Sequence, residues 1–319
     1  MLVRRLQTTR VDLSHAGMGD QLGALLAACL ADLPCMRALS LRDNRLTDAA
    51  LLPVVRAIRR RNDLQELDLS ENVCGGGAAA ELAAYFSDRG VCLRTLMLSA
   101  ADLDDGEASK FVEQLRHNTS LTHLDLSRNL IGKQESVNYV NPAFYTGAEA
   151  LADWLAMPQC RLRHLDVSWN TIRLGSAISF GEALARNASL HTLLLGYNGF
   201  GAAGGEAIGA ALCRNTALRK MDLTANSISP RAAVVIAEGL IANKGLREVA
   251  LGQNPLGKQG ARWVTRLPGE MVGEGGGGAL DIDVSGSNFQ IEDTRCWFDD
   301  DKVKLKLKCL LRWALHTRQ

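Results

Sequence analysis

Four groups of residues have the types and spacing that chemistry requires. Gly199, Gly201 and Gly204 match G-x-G-x-x-G, with Asp222 further along. That pattern lets a helix N-terminus hold a pyrophosphate while an acid holds a ribose. His123, Asp125, His164 and Asp166 repeat H-x-D at two places, and two imidazoles with two carboxylates are zinc-ligand types. Arg56, Arg59, Arg60 and Arg61 form a basic cluster that would suit phosphate, although no aromatic residues are interleaved with it for base stacking. Asp68, Asp125, Asp166 and Asp222 recur and invite a reading as paired acid–base carboxylates. No G-x-S-x-G, H-E-x-x-H or Walker A sequence is present.

All four groups lie in a periodic sequence, and the period changes their meaning. The pattern L-x-x-L-x-L-x-x-N recurs as MRALSLRDN from Met36, LQELDLSEN from Leu64 and LTHLDLSRN from Leu121. It continues as LRHLDVSWN from Leu162, LHTLLLGYN from Leu190, LRKMDLTAN from Leu218 and LREVALGQN from Leu246. A degenerate copy begins at Leu93, and weaker first and last copies start near Thr8 and Ala279. Most successive starts are 28 residues apart. In LTHLDLSRN, alternation along a strand turns Leu124 and Leu126 inward and His123 and Asp125 outward. The Asn column (Asn44, Asn72, Asn129, Asn170, Asn198, Asn226, Asn254) falls where the chain leaves the strand. There an amide can satisfy backbone groups that the turn would orphan. A stretch with helical apolar spacing follows each Asn. The recurring aspartates are then one repeat column, and Gly204 lies six after Asn198 as Gly260 lies six after Asn254. The repeat therefore accounts for both the carboxylates and the glycine fingerprint.

These motifs resemble the ribonuclease-inhibitor-like class of leucine-rich repeats, over about Thr8 to Leu267 plus one terminal unit. The resemblance implies an α/β fold: a right-handed α/β solenoid, horseshoe-shaped, with parallel strands on the concave face and helices on the convex face. The pattern is broken at Ala16 and Ala101, where the turn Asn is missing. The expected organisation is a repeat solenoid over residues 1–267, then a glycine-rich lead, a degenerate terminal repeat and a cap over 268–319. Lys302 to Lys308 alternates charge with apolar residues, as an edge strand protected by lysines does.

Composition narrows the function. Among 319 residues, 36 basic against 35 acidic side chains give a net charge of +1, so no global field draws in nucleic acid or anionic membrane. The apolar run Leu22–Leu33 is shorter than the ~20 residues a bilayer span needs. It also lacks the basic lead of a signal peptide. Eight cysteines without a C-x-x-C pair, most of them among apolar neighbours, suit free thiols in a reducing cytoplasm.

The outward columns point to recognition. The residue before each turn Asn includes Trp169 and Tyr197, with Leu194 nearby in its strand, and large aromatics on a solvent-facing column are typical binding anchors. The unit starting at Leu121 carries about 13 surplus residues, bringing Tyr139, Phe144 and Tyr145. Trp169, Tyr197, Leu194, Tyr139, Phe144 and Tyr145, together with the His123–Asp125 and His164–Asp166 patch, form the expected partner site. The patch is expected to work without metal and to sense pH through its imidazoles. The expected function is a non-enzymatic protein-binding scaffold, a monomer or a subunit of a larger complex, without cofactor, nucleic acid or membrane. Members of the resembling class bind nucleases, cytoskeletal partners, ciliary complexes and nucleotide-sensing assemblies. The alternative is GTPase activation of the Ran-activator type, with Arg45 or Arg128 contacting the GTPase. Such activators carry an acidic tail, whereas no Asp or Glu follows Asp301.

Overall fold

The computed structural model describes residues 9–30, 33, 35–61, 63–88, 90–135, 145–270 and 280–287, which form two compact units that divide after Asn170. In the first unit, strands β1 (Arg10–Asp12), β2 (Ala38–Ser40), β3 (Glu66–Asp68), β4 (Thr95–Met97), β5 (His123–Asp125) and β6 (His164–Asp166) alternate with helices. The helices are α1 (Gly19–Leu30), α2 (Asp48–Arg59), α3 (Gly76–Ser87), α4 (Asp105–Leu115) and α5 (Gly147–Leu155). Each strand pairs in parallel with the next, so sequence order is spatial order. The second unit holds α6 (Leu174–Arg186), β7 (Thr192–Leu194), α7 (Gly201–Leu212), β8 (Lys220–Asp222), α8 (Pro230–Ala242), β9 (Glu248–Ala250), α9 (Gly257–Glu270) and β10 (Asp281–Asp283). Strands β7 to β10 are likewise parallel and consecutive. Each unit is thus an α/β solenoid of strand–helix repeats.

The repeat consensus explains the packing. Inward leucines of the strands, such as Leu67, Leu96, Leu124 and Leu165, are fully buried, and burial of each such side chain contributes about 2 kcal/mol. The turn asparagines form the expected ladder. Asn129 donates from Nδ2 to the carbonyls of Leu98, Leu126 and Ser127 at 2.8–3.1 Å, and its Oδ1 accepts from Ala101 and Leu103 N–H at 3.0 Å. The missing Asn at Ala101 is compensated by backbone. Cys74 N–H, which would meet an amide oxygen there, donates instead to the Ala101 carbonyl at 2.9 Å.

A second ladder accompanies the helix ends. Asn118, Asn187, Asn215 and Asn243 are buried. Asn215, for instance, donates to the Leu184 and Asn187 carbonyls at 2.8 Å and accepts from Ala217 and Leu218 N–H. Two expectations need correction. Four of the six described cysteines (Cys29, Cys35, Cys92 and Cys213) are exposed, and only Cys74 and Cys160 are buried. Helix α9 runs through Pro268 to Glu270, so the boundary expected after residue 267 falls inside its last turn. A proline that close to a helix end leaves most of the hydrogen-bond ladder before it intact. The lysine-alternating segment 302–308 and the expected cap lie outside the described residues.

Candidate functional site

The glycine fingerprint is a packing feature. A Cβ on Gly204 would lie 2.7 Å from the Ala177 Cβ on α6, and Gly201 opens α7 at φ +61°. Close helix contact and a left-handed turn require these glycines. The arginine cluster is also spoken for: Arg59 reaches Glu81 at 3.1 Å and Asp88 at 3.0 Å, and Arg56 reaches Glu81 at 3.2 Å. Arg61 is buried, with hydrogen bonds to the Leu30 carbonyl and to Asp63. Arg56 and Arg60 are exposed, and of the four only Arg60 has none of these contacts.

The outward side chains of β5 and β6 come together as the sequence pattern required. His123 registers with His164 and Asp125 with Asp166. The two imidazoles stack, with ring centroids 5.7 Å apart and planes at 22°, and Thr122 Oγ1 lies 2.9 Å from His123 Nδ1. Asp125 accepts from Ser127 N–H at 2.9 Å, while Asp166 accepts from Ser168 N–H at 2.9 Å and its hydroxyl at 2.6 Å. Burial holds the Asp166 carboxyl above the usual carboxylate range, and Asp125 beside it pushes the same way. The Ser168 bonds and His164 pull it down. Among the described residues no group of three or more His, Cys, Asp or Glu side chains is arranged to hold a metal ion.

Trp169 completes this patch at the exit edge. It is 48% exposed, and the Arg128 guanidinium of the neighbouring strand sits 5.4 Å from its ring centroid, a cation–π contact. Both residues adopt left-handed backbone, at φ +57° for Arg128 and +56° for Trp169. The same holds for Asp43, Glu71, Ala100, Tyr197, Ala225 and Gln253, each one residue before the turn. Left-handed backbone disfavours any side chain by about 1–2 kcal/mol. About half of this tryptophan's surface stays in water.

The remaining expected site residues are distributed. Leu194 and Tyr197 belong to the second unit, where both are half-buried. The Tyr197 hydroxyl accepts from Gln253 Nε2 at 3.1 Å across the small Ala225. Tyr145 is exposed, and its hydroxyl donates to Asp153 of α5, which draws this ring to the helix layer. Tyr139 and Phe144 lie outside the described residues. Both feet of the inserted segment are nevertheless fixed. Buried Asp105 accepts from Gly132, Gln134 and Gly147 N–H at 2.8, 3.0 and 2.9 Å. A capping box between Thr146 and Glu149 then starts α5. The sequence reading missed Asp105, and it named Arg128 only as a contact for a GTPase, not as the neighbour of Trp169. The contacts of Asp105 span 27 to 42 residues, and no local pattern marks them.

Comparison with known proteins agrees with this architecture. A family model described as "Leucine Rich repeat" matches residues 117–134, 160–181 and 186–209. A human protein, "NACHT, LRR and PYD domains-containing protein 14", is 26% identical over 62% of this chain and 17% of its own length. Pig "Ribonuclease inhibitor" is 30% identical over 52% of this chain and 35% of its own. The chain thus spans well under half the length of these curated relatives. The structure titled "Crystal structure of Rad7 and Elc1 complex in yeast" shares the fold at a TM-score of 0.54 and 14% identity, over 88% of this chain and 70% of that one. Repeat motifs, paired strands and relatives agree: the chain is a leucine-rich repeat protein of the ribonuclease-inhibitor-like class.

Proposed function

We propose that this chain is a non-enzymatic scaffold that binds a protein partner through the outward face and exit edge of β5–β6. The observation that carries the reading is Trp169, a half-exposed aromatic in disfavoured backbone with a guanidinium stacked on it. Its exposed half leaves ring surface for a partner, and exposed Trp and Arg are the types that dominate binding energy. The stacked His123–His164 pair and Asp125–Asp166 continue the surface across both strands. Asp105 fixes the described ends of the inserted segment through the N–H groups of Gly132, Gln134 and Gly147. Similarity to a ribonuclease inhibitor supports binding over catalysis.

A cytoplasmic setting, and within it a cytoskeletal or ciliary assembly, accords with the buried thiols of Cys74 and Cys160. No helix among the described residues is long and apolar enough to cross a membrane. For GTPase activation, Arg128 would have to give up its place over Trp169. The test is affinity capture from native extract with the natural chain and W169A side by side. The expected result is a stoichiometric protein retained by the first and lost by the second. An identical set of retained proteins, with both chains folded, contradicts the proposal.

A further inference from the structure

The second unit carries a row of basic side chains that the proposed site does not use. His191, Arg219 and Arg247 each stand one residue ahead of a strand, in three successive repeats. The backbone fixes them in line: Arg219 and Lys220 N–H donate to the His191 carbonyl, and Arg247 and Glu248 N–H donate to the Arg219 carbonyl. Every one of the three side chains is turned back onto a carbonyl of its own loop. His191 Nδ1 lies 2.7 Å from the Ser189 carbonyl oxygen. Arg219 Nη1 donates to the Thr216 and Leu218 carbonyls at 2.8 and 3.0 Å. Arg247 Nη1 donates to those of Lys244 and Leu246 at 3.3 and 3.1 Å. Gly245 makes room for this, because a Cβ there would stand 2.5 Å from Arg219 Nη1.

The charge of the row is unbalanced. Arg214 and Lys244, just past the ends of α7 and α8, are exposed beside it. Lys220 is ion-paired with Glu248 at 2.7 Å. Among the described residues Arg214, Arg219, Lys244 and Arg247 make no ion pair with a carboxylate. Carbonyls hold each guanidinium at one nitrogen and leave its other N–H donors for a ligand.

We propose that this leading edge binds an acidic, extended segment of a partner protein, whose carboxylates meet Arg219 and Arg247. Strands stack ~4.8 Å apart, and same-face side chains of an extended peptide repeat every ~6.8 Å. Flexible arginines bridge that difference, and guanidinium matches carboxylate in a two-point geometry. A polynucleotide fits less well, because no Trp, Tyr or Phe stands in the row to stack on bases. The site shares no residue with the β5–β6 patch.

The test is fluorescence anisotropy of a labelled (Glu-Ser)6 peptide titrated with the full chain at low salt. Saturable binding is expected, weakening as salt screens the charges. R219Q/R247Q should lower affinity at least about tenfold, while R219K/R247K recovers part of it. G245A should also lower it, although it removes no charge, by displacing the Arg219 guanidinium. W169A should leave it unchanged, which separates this site from the proposed β5–β6 site. Thermal melts by circular dichroism verify that each variant is folded. Absence of saturable binding, undiminished affinity in R219Q/R247Q or G245A, or tighter binding of labelled oligothymidylate or phosphatidylserine vesicles overturns the proposal.

Discussion

The two units are built on one internal consensus and differ in what they present. Inward, they agree: Leu96, Leu124 and Leu165 in the first unit and Leu193, Met221 and Val249 in the second are all buried. Outward, they diverge. The last strand position of the first unit reads Asp12, Ser40, Asp68, Met97, Asp125 and Asp166, whereas the second unit reads Leu194, Asp222, Ala250 and Asp283. Ahead of the strands, arginine alternates with uncharged residues in the first unit (Arg37, Gln65, Arg94, Thr122, Arg163). In the second unit His191, Arg219 and Arg247 follow one another without interruption. The core dictates the inward columns, so only departures in the outward ones are free to encode recognition. The first unit places acids, imidazoles and an aromatic on its sheet face, and the second places cations along its leading edge.

Variants can break this division between frame and surface. The largest effect should come from the frame. N129A removes five hydrogen bonds to buried backbone and should destabilise by about 3 kcal/mol or more in urea unfolding, at 1–3 kcal/mol per orphaned group. N226A should cost less, because Asn226 donates to Leu195 and Thr224 and accepts only a long 3.4 Å bond from Phe200 N–H. Equal losses would show that the turn ladder acts through something other than its hydrogen-bond count.

Surface changes should separate binding from stability. W169A should lose about 2 kcal/mol of partner affinity and change unfolding by less than about 0.5 kcal/mol. In the second unit Y197A should instead lower stability by about 1 kcal/mol, since its hydroxyl is tied to Gln253. W169G should unfold no more readily than W169A, because φ +56° penalises any Cβ.

The smallest effect concerns Asp166. Its folded-state carboxyl is held above the ordinary value of 3.8 by burial first, so the folded state binds a proton more tightly than the unfolded one. As pH rises from 3.8 through the raised value, the natural chain should lose a little stability that D166N keeps. Parallel melting curves of the two proteins over that window measure it.

Much of this was legible in the sequence. The leucine spacing located the strands, and strand alternation placed His123 beside His164 and Asp125 beside Asp166, because each copy of the motif sets its own strand's register even across the 41 residues between them. What escaped reading depends on geometry that spacing does not carry. The residue before each turn Asn is left-handed in both units without a glycine to announce it, since the turn overrides the local preference of Trp169 or Glu71. Ala101 looked like a fault until the structure showed its carbonyl receiving the Cys74 N–H. Arg128 over Trp169, Arg219 folded against its loop and Asp105 gripping the inserted segment all depend on side-chain reach between repeats.

The most direct test of a β5–β6 partner site is photo-crosslinking with benzoylphenylalanine placed at position 169 and, separately, at Lys110, an exposed residue of α4 in the same unit. In native extract, position 169 should give one dominant protein adduct, and position 110 should give none of that species. Adducts of equal yield from both positions, or from position 110 alone, would contradict the assignment.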